Sequence, residues 1–418
     1  MDIIKRNLFE KIIPALSSKE IILIAGPRQC GKTTLMKLIQ ARLKKENKKT
    51  IFLNLDYEED KKYFDSQKKL VDKLKLEFGG EKAFVFIDEI QRKENAGLFL
   101  KGIYDLDLPY KFIVSGSGSL ELKEKIHESL AGRKIFFEMF PLSFDEFVNF
   151  RTGYAYEKKL SVFLETEKQA ALDFLREYMN FGGYPKCVLS EKESEKKLQI
   201  DEIYKSYVEK DISYWLKVDK VYAFRDLIKH LSFHAGKIMN YSETASALNI
   251  SLPTLKNYVY YAEKTFIISE IRPYFKNPLK ELVKAPAIYF GDTGLKNYVS
   301  GSYGSAADSP GNGFLFQNLV FNVLRQKTAF TPYRINYWRT KDGAEVDFIL
   351  DKNSELVPVE VKYSRLKESK TPGSLVSFIK RYAPARAYVV NLSLEQKVKI
   401  NGTEVFFIPF FKFLSEEI

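Results

Sequence analysis

Short apolar runs recur along the first third of the chain: IILIA at 21–25, TIFLNL at 50–55, AFVFI at 83–87, KFIVS at 111–115 and KIFFEM at 134–139. Runs this brief and this continuous suit strands buried on both faces, and the charged stretches between them have helical spacing. The alternation predicts an α/β fold, a parallel sheet wrapped by helices. Ahead of it, MDIIKRNLFEKIIPAL alternates charged and apolar residues at helical spacing. That predicts a short amphipathic helix and lacks the continuous apolar core of a signal peptide. Behind it, PLSFDEF at 141–147 sets Ser143 three residues before Glu146, a capping box that starts a helix.

From about 150 to 240 the pattern is helical and charged, with a GGYP turn at 182–185, and reads as an all-α lid or connector. SETASALNISLPTLKNYVYYAEKTFII at 242–268 then predicts two short helices around a tight turn. Ala245 and Leu248 pack the first; Leu255, Val259 and Ala262 line the second. This is a helix-turn-helix pattern of the kind found in winged-helix domains. SGSYGSAADSPGNG at 300–313 is rich in Gly and Ser and is expected to be a linker or mobile loop. A last α/β segment runs from 314 to the end. The expected division is 1–19, 20–150, 151–215, 216–299, 300–313 and 314–418, with no internal repeat.

Near the C-terminus, AEVDFILDKNSELVPVEVKY at 344–363 reads as two strands joined by a polar turn. Residues two apart share a face, so Glu345 and Asp347 fall together on one strand, and Glu360 and Lys362 on the next. A half-buried hairpin with a charged outer face has this pattern; so does a metal-dependent nuclease site.

A chain of 418 residues exceeds one hydrophobic core, and two to four domains are expected. Hydrophobic residues at 45% suffice for several cores, while charged residues at 29% leave a formal net charge of +12. That surplus fits a nucleic-acid partner, and equally a basic solvated surface. Cys30 and Cys187 form no CxxC, which excludes a disulfide scaffold or a cysteine-rich zinc site and suits a reducing cytoplasm. No run of about 18 apolar residues occurs, so no membrane partner is expected.

The strongest chemical signal is GPRQCGKT at 26–33, a complete G-x-x-x-x-G-K-[ST] between a predicted strand and a predicted helix. Gly26 and Gly31 let the backbone fold so that amides of Pro27-flanked Arg28, Gln29, Cys30 and the following Thr33 and Thr34 surround phosphate oxygens, helped by the helix N-terminus. Lys32 reaches the outer phosphates of ATP, and the Thr33 hydroxyl is expected on Mg²⁺. FVFIDEI at 84–90 ends a strand in Asp88, placed for the Mg²⁺ shell, and Glu89, placed to polarise a water. The next strand ends at Ser115, a candidate to sense the outer phosphate, with Ser117 as the alternative. Arg133, before the following strand, is either a surface residue or a group that reaches a neighbouring copy's nucleotide.

GPRQCGKT, FIDEIQ, VSGSGSLEL, LAGR and PLSFDEF together resemble the prokaryotic AAA+ ATPases that carry a C-terminal domain of unknown function. YVEKDI at 207–212, the helix-turn-helix, AIYFGDTGL at 287–295, GFLFQNLVFNVL at 313–324 and the DF…VEVK pair extend the resemblance over nearly the whole chain. It implies an ATPase core, a winged helix and a C-terminal restriction-endonuclease-like fold of the PD-(D/E)XK type. In that fold Asp347 and Glu360 hold a metal and Lys362 orients the attacking water. The helix before them normally supplies a glutamate, and here Gln317 stands in its place. Glu345 offers compensation on the same face. The pair is thus a working Mg²⁺ centre, an inherited fold that holds DNA without cutting, or a solvated face.

In the helix-turn-helix, Thr254, Lys256, Asn257 and Tyr260 are the expected outward residues, suited to phosphates and to adenine. His230 and His234 lie four apart without an evident third ligand. These readings converge on an ATP- and Mg²⁺-dependent AAA+ ATPase that acts on double-stranded DNA. The alternatives are a nucleotide-switched protein-interaction module, with a protein partner or a second copy of itself, and an ATP-gated endonuclease.

Overall fold

The computed structural model describes residues 3–117, 129–207, 221–277, 279, 281, 284–353 and 355–418. YVEKDI, apart from Tyr207, lies outside the described residues. The chain divides into two compact units. The first takes Met1–Leu142 with Lys205–Trp215 and Lys264–Ile267; the second takes Ser143–Tyr204, Leu216–Glu263 and Ile268–Ile418.

In the first unit each predicted run is a strand: β1 (Ile21–Gly26), β2 (Lys49–Asn54), β3 (Ala83–Asp88), β4 (Tyr110–Ser117) and β5 (Lys134–Glu138). They form one sheet in the order β2-β3-β4-β1-β5, and all four pairings are parallel. β1 and β4 are buried along their whole length because both sheet faces carry helices. On one face α2 (Lys32–Lys45) packs Leu35, Met36 and Ile39 against Ile22, Ile24, Phe86 and Ile113. The N-terminal segment, α1 (Asn7–Ile12) running into a 3₁₀ turn at Ile13–Ser17, adds Leu8 and Ile12 to that layer. On the other face Leu70, Leu74, Phe99 and Leu100 pack against Leu23, Val85, Ile87 and Val114. The order brings the C-terminal ends of β1, β3 and β4 together at one edge of the sheet.

The second unit begins at α3 (Phe144–Arg151), whose capping box has both bonds: Glu146 N–H to Ser143 Oγ at 3.3 Å, and Ser143 N–H to Glu146 Oε2 at 3.0 Å. Helices Lys168–Phe181, Glu193–Ser206 and Val221–Phe233 follow among shorter ones. The two helices of the helix-turn-helix are α4 (Tyr241–Ala247) and α5 (Leu252–Lys264), with Leu255, Val259 and Ala262 buried. Behind them β6 (Ile268–Ile271) pairs antiparallel with β7 (Ala287–Phe290). A long helix, α6 (Asn312–Thr328), precedes a six-stranded mixed sheet of β8 (Arg334–Arg339), β9 (Glu345–Asp351), β10 (Leu356–Val361), β11 (Arg386–Asn391), β12 (Gln396–Ile400) and β13 (Thr403–Pro409). Its order is β12-β13-β11-β10-β9-β8.

Two sequence motifs meet in this unit. Asp292 of YFGDTGL caps the helix Thr293–Ser300 through Leu295 N–H at 2.8 Å and accepts Gly183 N–H of GGYP at 2.7 Å. Gly182 has φ +73°, and a Cβ there would lie 2.2 Å from Asp292 Oδ1, so this turn admits only glycine.

The Gly/Ser-rich segment 300–313 is not a linker. Ala306 and Ala307 are buried, Ala307 N–H donates to Asn180 Oδ1 at 2.7 Å, and Gly304 abuts the Glu193 carboxylate. Gly304, at φ +90°, turns close against the helix Glu193–Ser206; composition alone does not distinguish a tight packed loop from a free one.

Candidate functional site

The loop after β1 and the first turn of α2 form a cradle of backbone amides. Gly31 has φ +100° and Gln29 φ +57°, so the chain turns twice through the left-handed region within three residues. At Gly26 a Cβ would lie 2.2 Å from Met139 O, at the end of β5, so the glycine also permits close strand packing. The N–H groups of a 14-residue helix open onto this loop. Lys32 Nζ donates to Gly26 O at 3.1 Å and to Pro27 O at 2.7 Å. Its ammonium is thus held inside the concavity by the loop's own carbonyls. Cys30 and Pro27 are buried, Arg28 and Gln29 half-buried, and Thr34 exposed. Gln29 Oε1 is a buried oxygen without a hydrogen-bond partner.

Strand β3 brings the acids to the same edge. Asp88 is buried, and Thr33 Oγ1 donates to its Oδ2 at 2.7 Å. Ser115 Oγ donates to the other oxygen, Oδ1. Ser115 is therefore a hydrogen-bond partner of Asp88. Ser117, paired with Gly26 across the β1–β4 ladder, is the hydroxyl beside the loop, and its buried Oγ has no partner. Glu89 sits at φ +58°, a left-handed position that turns it out of the strand direction. Burial pushes its carboxyl up; Lys32 opposes this, and Asp88 adds to it. Gln91 donates to Glu89 Oε2 and accepts Ser117 N–H at 3.2 Å, tying the ends of β3 and β4.

Arg133 lies at the opposite edge of the sheet. Its backbone oxygen accepts Ile21 N–H, and its Nε donates to Asp105 Oδ1 at 2.9 Å. It is no part of this chain's own loop site. Arg6, which the sequence reading missed, donates from Nη1 to Cys30 O at 2.7 Å and from Nη2 to Phe140 O at 2.6 Å. It clamps the loop to the end of β5. Nothing in its local sequence distinguishes it from Lys5 or Lys11; only the packed N-terminal helix reveals it.

This donor set fits a nucleoside triphosphate with Mg²⁺. A strand-to-helix cradle that requires glycine, an ammonium held inside it, an orphaned Gln29 oxygen and a hydroxyl hydrogen-bonded to a carboxylate are the groups such a ligand engages. Lys32 and the loop amides of residues 28–33 would face phosphates, and Thr33 and Asp88 would face the cation.

In the second unit, antiparallel β9 and β10 pair as far as Phe348 with Val359, which leaves Asp347 and Glu360 next in register. Asp347 accepts from Gln317 Nε2 at 2.9 Å and from Val361 N–H at 2.7 Å; Gln317 also donates to the buried Tyr289 hydroxyl at 3.0 Å. Lys362 Nζ donates to Glu360 Oε1 at 2.8 Å, and Glu360 Oε2 is buried without a partner. Burial and the facing Glu360 hold the Asp347 carboxyl well above the usual range, against the Val361 amide and Lys362. Burial alone would lower the Lys362 ammonium, but Glu360 and Asp347 more than offset it and the net shift is upward. Glu345 pairs with Arg339 at 3.6 Å on the neighbouring strand. Among the described residues no three His, Cys, Asp or Glu side chains converge to hold a metal. The pair Asp347–Glu360 has the chemistry for a hard cation, but three of its four oxygens already accept hydrogen bonds.

The expected outward residues of α5 separate into two sets. Lys256 and Tyr260 line a cavity, whereas Asn257 is exposed and Thr254 is engaged with Ser251 at 2.8 Å. His230 and His234 stack at 4.3 Å, and His234 Nδ1 contacts His230 O. Burial, then His234, lowers the His230 pKa. They are helix neighbours and not a ligand pair. Among the described residues no helix is long and apolar enough to cross a membrane.

Residues 18–148 match a family model described as an AAA domain. Residues 172–305 and 312–411 match two models described as domains of unknown function, DUF8612 and DUF4143. An uncharacterized protein of Methanocaldococcus jannaschii is 26% identical, covering 98% of this chain and 90% of its own length. One of Haemophilus influenzae is 23% identical, covering 97% of each. Among solved structures, the Aeropyrum pernix ORC1 protein in complex with DNA has a TM-score of 0.31 at 14% identity, covering 71% of this chain and 91% of its own. AMPPCP-bound DnaA from Aquifex aeolicus has 0.25 at 17%, covering 62% and 86%. Scores this low do not establish a common whole-chain fold. The parallel sheet and the AAA-domain match support a nucleotide-binding AAA+ ATPase domain in the first unit.

Proposed function

We propose that the chain hydrolyses ATP in its first unit and binds double-stranded DNA through its second, in which a winged helix adjoins a nuclease-like sheet that holds nucleic acid without cutting it. The observation that carries the ATPase is the bond from Thr33 Oγ1 to Asp88 Oδ2 at 2.7 Å, which joins phosphate loop and acidic strand in one site. A bound Mg²⁺ supplies charge neutralisation at the phosphates. Lys32 binds the outer phosphates, Thr33 and Asp88 hold the cation, and Ser115 fixes the Asp88 rotamer. Glu89, its proton affinity raised by burial, takes the proton of the attacking water. Ser117 and Gln91 position that water beside Gly26. Arg133, held by Asp105 away from the loop, takes no part in this chain's own site. Lys32→Ala is expected to remove hydrolysis in a phosphate-release assay; a variant that still turned over would displace the site from this loop.

The duplex reading rests on the net charge of +12 and on exposed Lys256 and Asn257 at the second helix of the helix-turn-helix. Affinity for a labelled duplex should fall steeply with salt as counterions are released. Salt-independent or absent binding would favour the protein-interaction module instead. Loss of catalysis at the C-terminal sheet follows from Gln317, which brings no charge, and from the engaged oxygens of Asp347. Supercoiled plasmid should stay intact with Mg²⁺ or Mn²⁺, with or without ATP. Nicking that disappears in Asp347→Ala would restore the endonuclease reading.

A further inference from the structure

The second unit contains a cavity of about 760 Å³ bordered by α4, α5, β6, the segment before β7, and the end of β8. Four cations from separate elements line it: Lys256 of α5, Arg272 after β6, Lys284 before β7 and Arg339 of β8. Lys256, Lys284 and Arg339 are exposed. Of the cavity's two carboxylates, one neutralises a lining cation and the other is engaged by backbone. Glu270 accepts from the Tyr241 hydroxyl and pairs with Arg272 at 3.5 Å; Glu263 accepts Glu270 N–H at 3.5 Å. The floor is apolar, with Ile238, Met239 and Val259, and Tyr260 presents an aromatic ring at the side.

A ring of cations around an apolar floor with an aromatic wall is the chemistry of a nucleotide unit: phosphate on the cations, base against the ring and floor. We propose that this cavity binds an unpaired nucleotide of single-stranded DNA. A duplex keeps its bases stacked inside and offers a convex backbone, which a concavity of this kind does not match; an unpaired strand can turn a base in. The direction of the cavity also fits. Arg339 is opposite Glu345 on β9, on the face that carries Asp347 and Glu360, so a strand seated here lies along the sheet face that bears the acid pair. The proposal deepens the DNA reading above and rests on it only in that both require nucleic acid at the second unit.

The test compares a fluorescent oligo-dT, a hairpin-free duplex and a labelled mononucleotide, by anisotropy against the full chain. Lys284→Glu and Arg339→Glu lie outside the ATP site, so the double variant should retain wild-type ATP turnover, and an unchanged thermal melt confirms that the second unit is folded. It should lose at least tenfold in oligo-dT affinity while duplex affinity changes less than threefold. With wild type, log affinity for oligo-dT should fall with log salt at a slope of roughly −1.4, from two phosphate contacts at Lys256 and Lys284 of about 0.7 each, since Glu270 and Glu345 already neutralise Arg272 and Arg339. Tyr260→Ala should weaken oligo-dT and leave the salt slope unchanged, since a stacking ring carries no charge. Equal loss for oligo-dT and duplex, or none for either, overturns the cavity while leaving the duplex reading standing. Tight mononucleotide binding with weak oligo-dT binding also overturns it, in favour of a free nucleotide as ligand. Failure of every probe removes both readings.

Discussion

Asp88 receives two hydroxyls at once, Thr33 on Oδ2 and Ser115 on Oδ1, and that double engagement holds the carboxylate where a loop cation would need it. Lys32→Ala removes the ammonium from the loop and should lower ATP turnover at least about a hundredfold, in the range for loss of one charged transition-state donor. Glu89 gives a pH prediction. Its raised pKa means the ionised base is lost as pH falls, from a midpoint above the ordinary carboxylate range. Turnover should drop on the acid side with that midpoint, and Glu89→Gln should abolish the drop together with most activity while still binding nucleotide in a filter assay. GPRQCGKT and IDE were legible because their chemistry is local in sequence. Ser115 as the partner of Asp88 was not, because two strands that lie side by side are distant along the chain.

At the scale of elements, the five apolar runs became five strands because a strand covered on both faces tolerates almost no polar residue. The capping box at Ser143 was legible for the same local reason, and Ser143→Ala should cost about 1 kcal/mol in chemical denaturation. Gly26→Ala should do more. The added methyl meets Met139 O at 2.2 Å, so β5 or the loop must shift, and both stability and nucleotide binding should fall together. The helix-turn-helix was visible in its periodicity, but which of its residues face a cavity was not. Lys256 and Tyr260 point into a concavity that β6 and β8 complete, and no pattern within α5 records that.

At the scale of the whole molecule, Asp292 ties distant segments, since GGYP and YFGDTGL close on one buried carboxylate. Burial raises its pKa to about 6, opposed by the amides of Gly183 and Leu295. An acid with a raised folded pKa binds its proton more readily folded than unfolded. Its contribution is fully present below the unfolded value of 3.8 and is lost as pH rises through about 6. The change amounts to roughly 3 kcal/mol. Denaturant titrations between pH 4 and 7, at about half-unit steps, should show this decline, and Asp292→Asn should flatten it. A profile that Asp292→Asn leaves unchanged would place the titration elsewhere.

The sequence by itself determined the nucleotide loop, the acidic strand end, the five buried strands and the helical start at Ser143, because each depends on residues within a few positions of one another; the alternation of those strands with helices then implied their parallel pairing. It also showed Gln317 in place of an acid. Tertiary structure decided the rest: that 300–313 packs and does not link, that Arg6 clamps the loop, that Gln317 bonds Asp347, and that four cations from four elements border one cavity. Those relations join residues tens to hundreds of positions apart, and side-chain periodicity carries no information about which distant face a residue will meet.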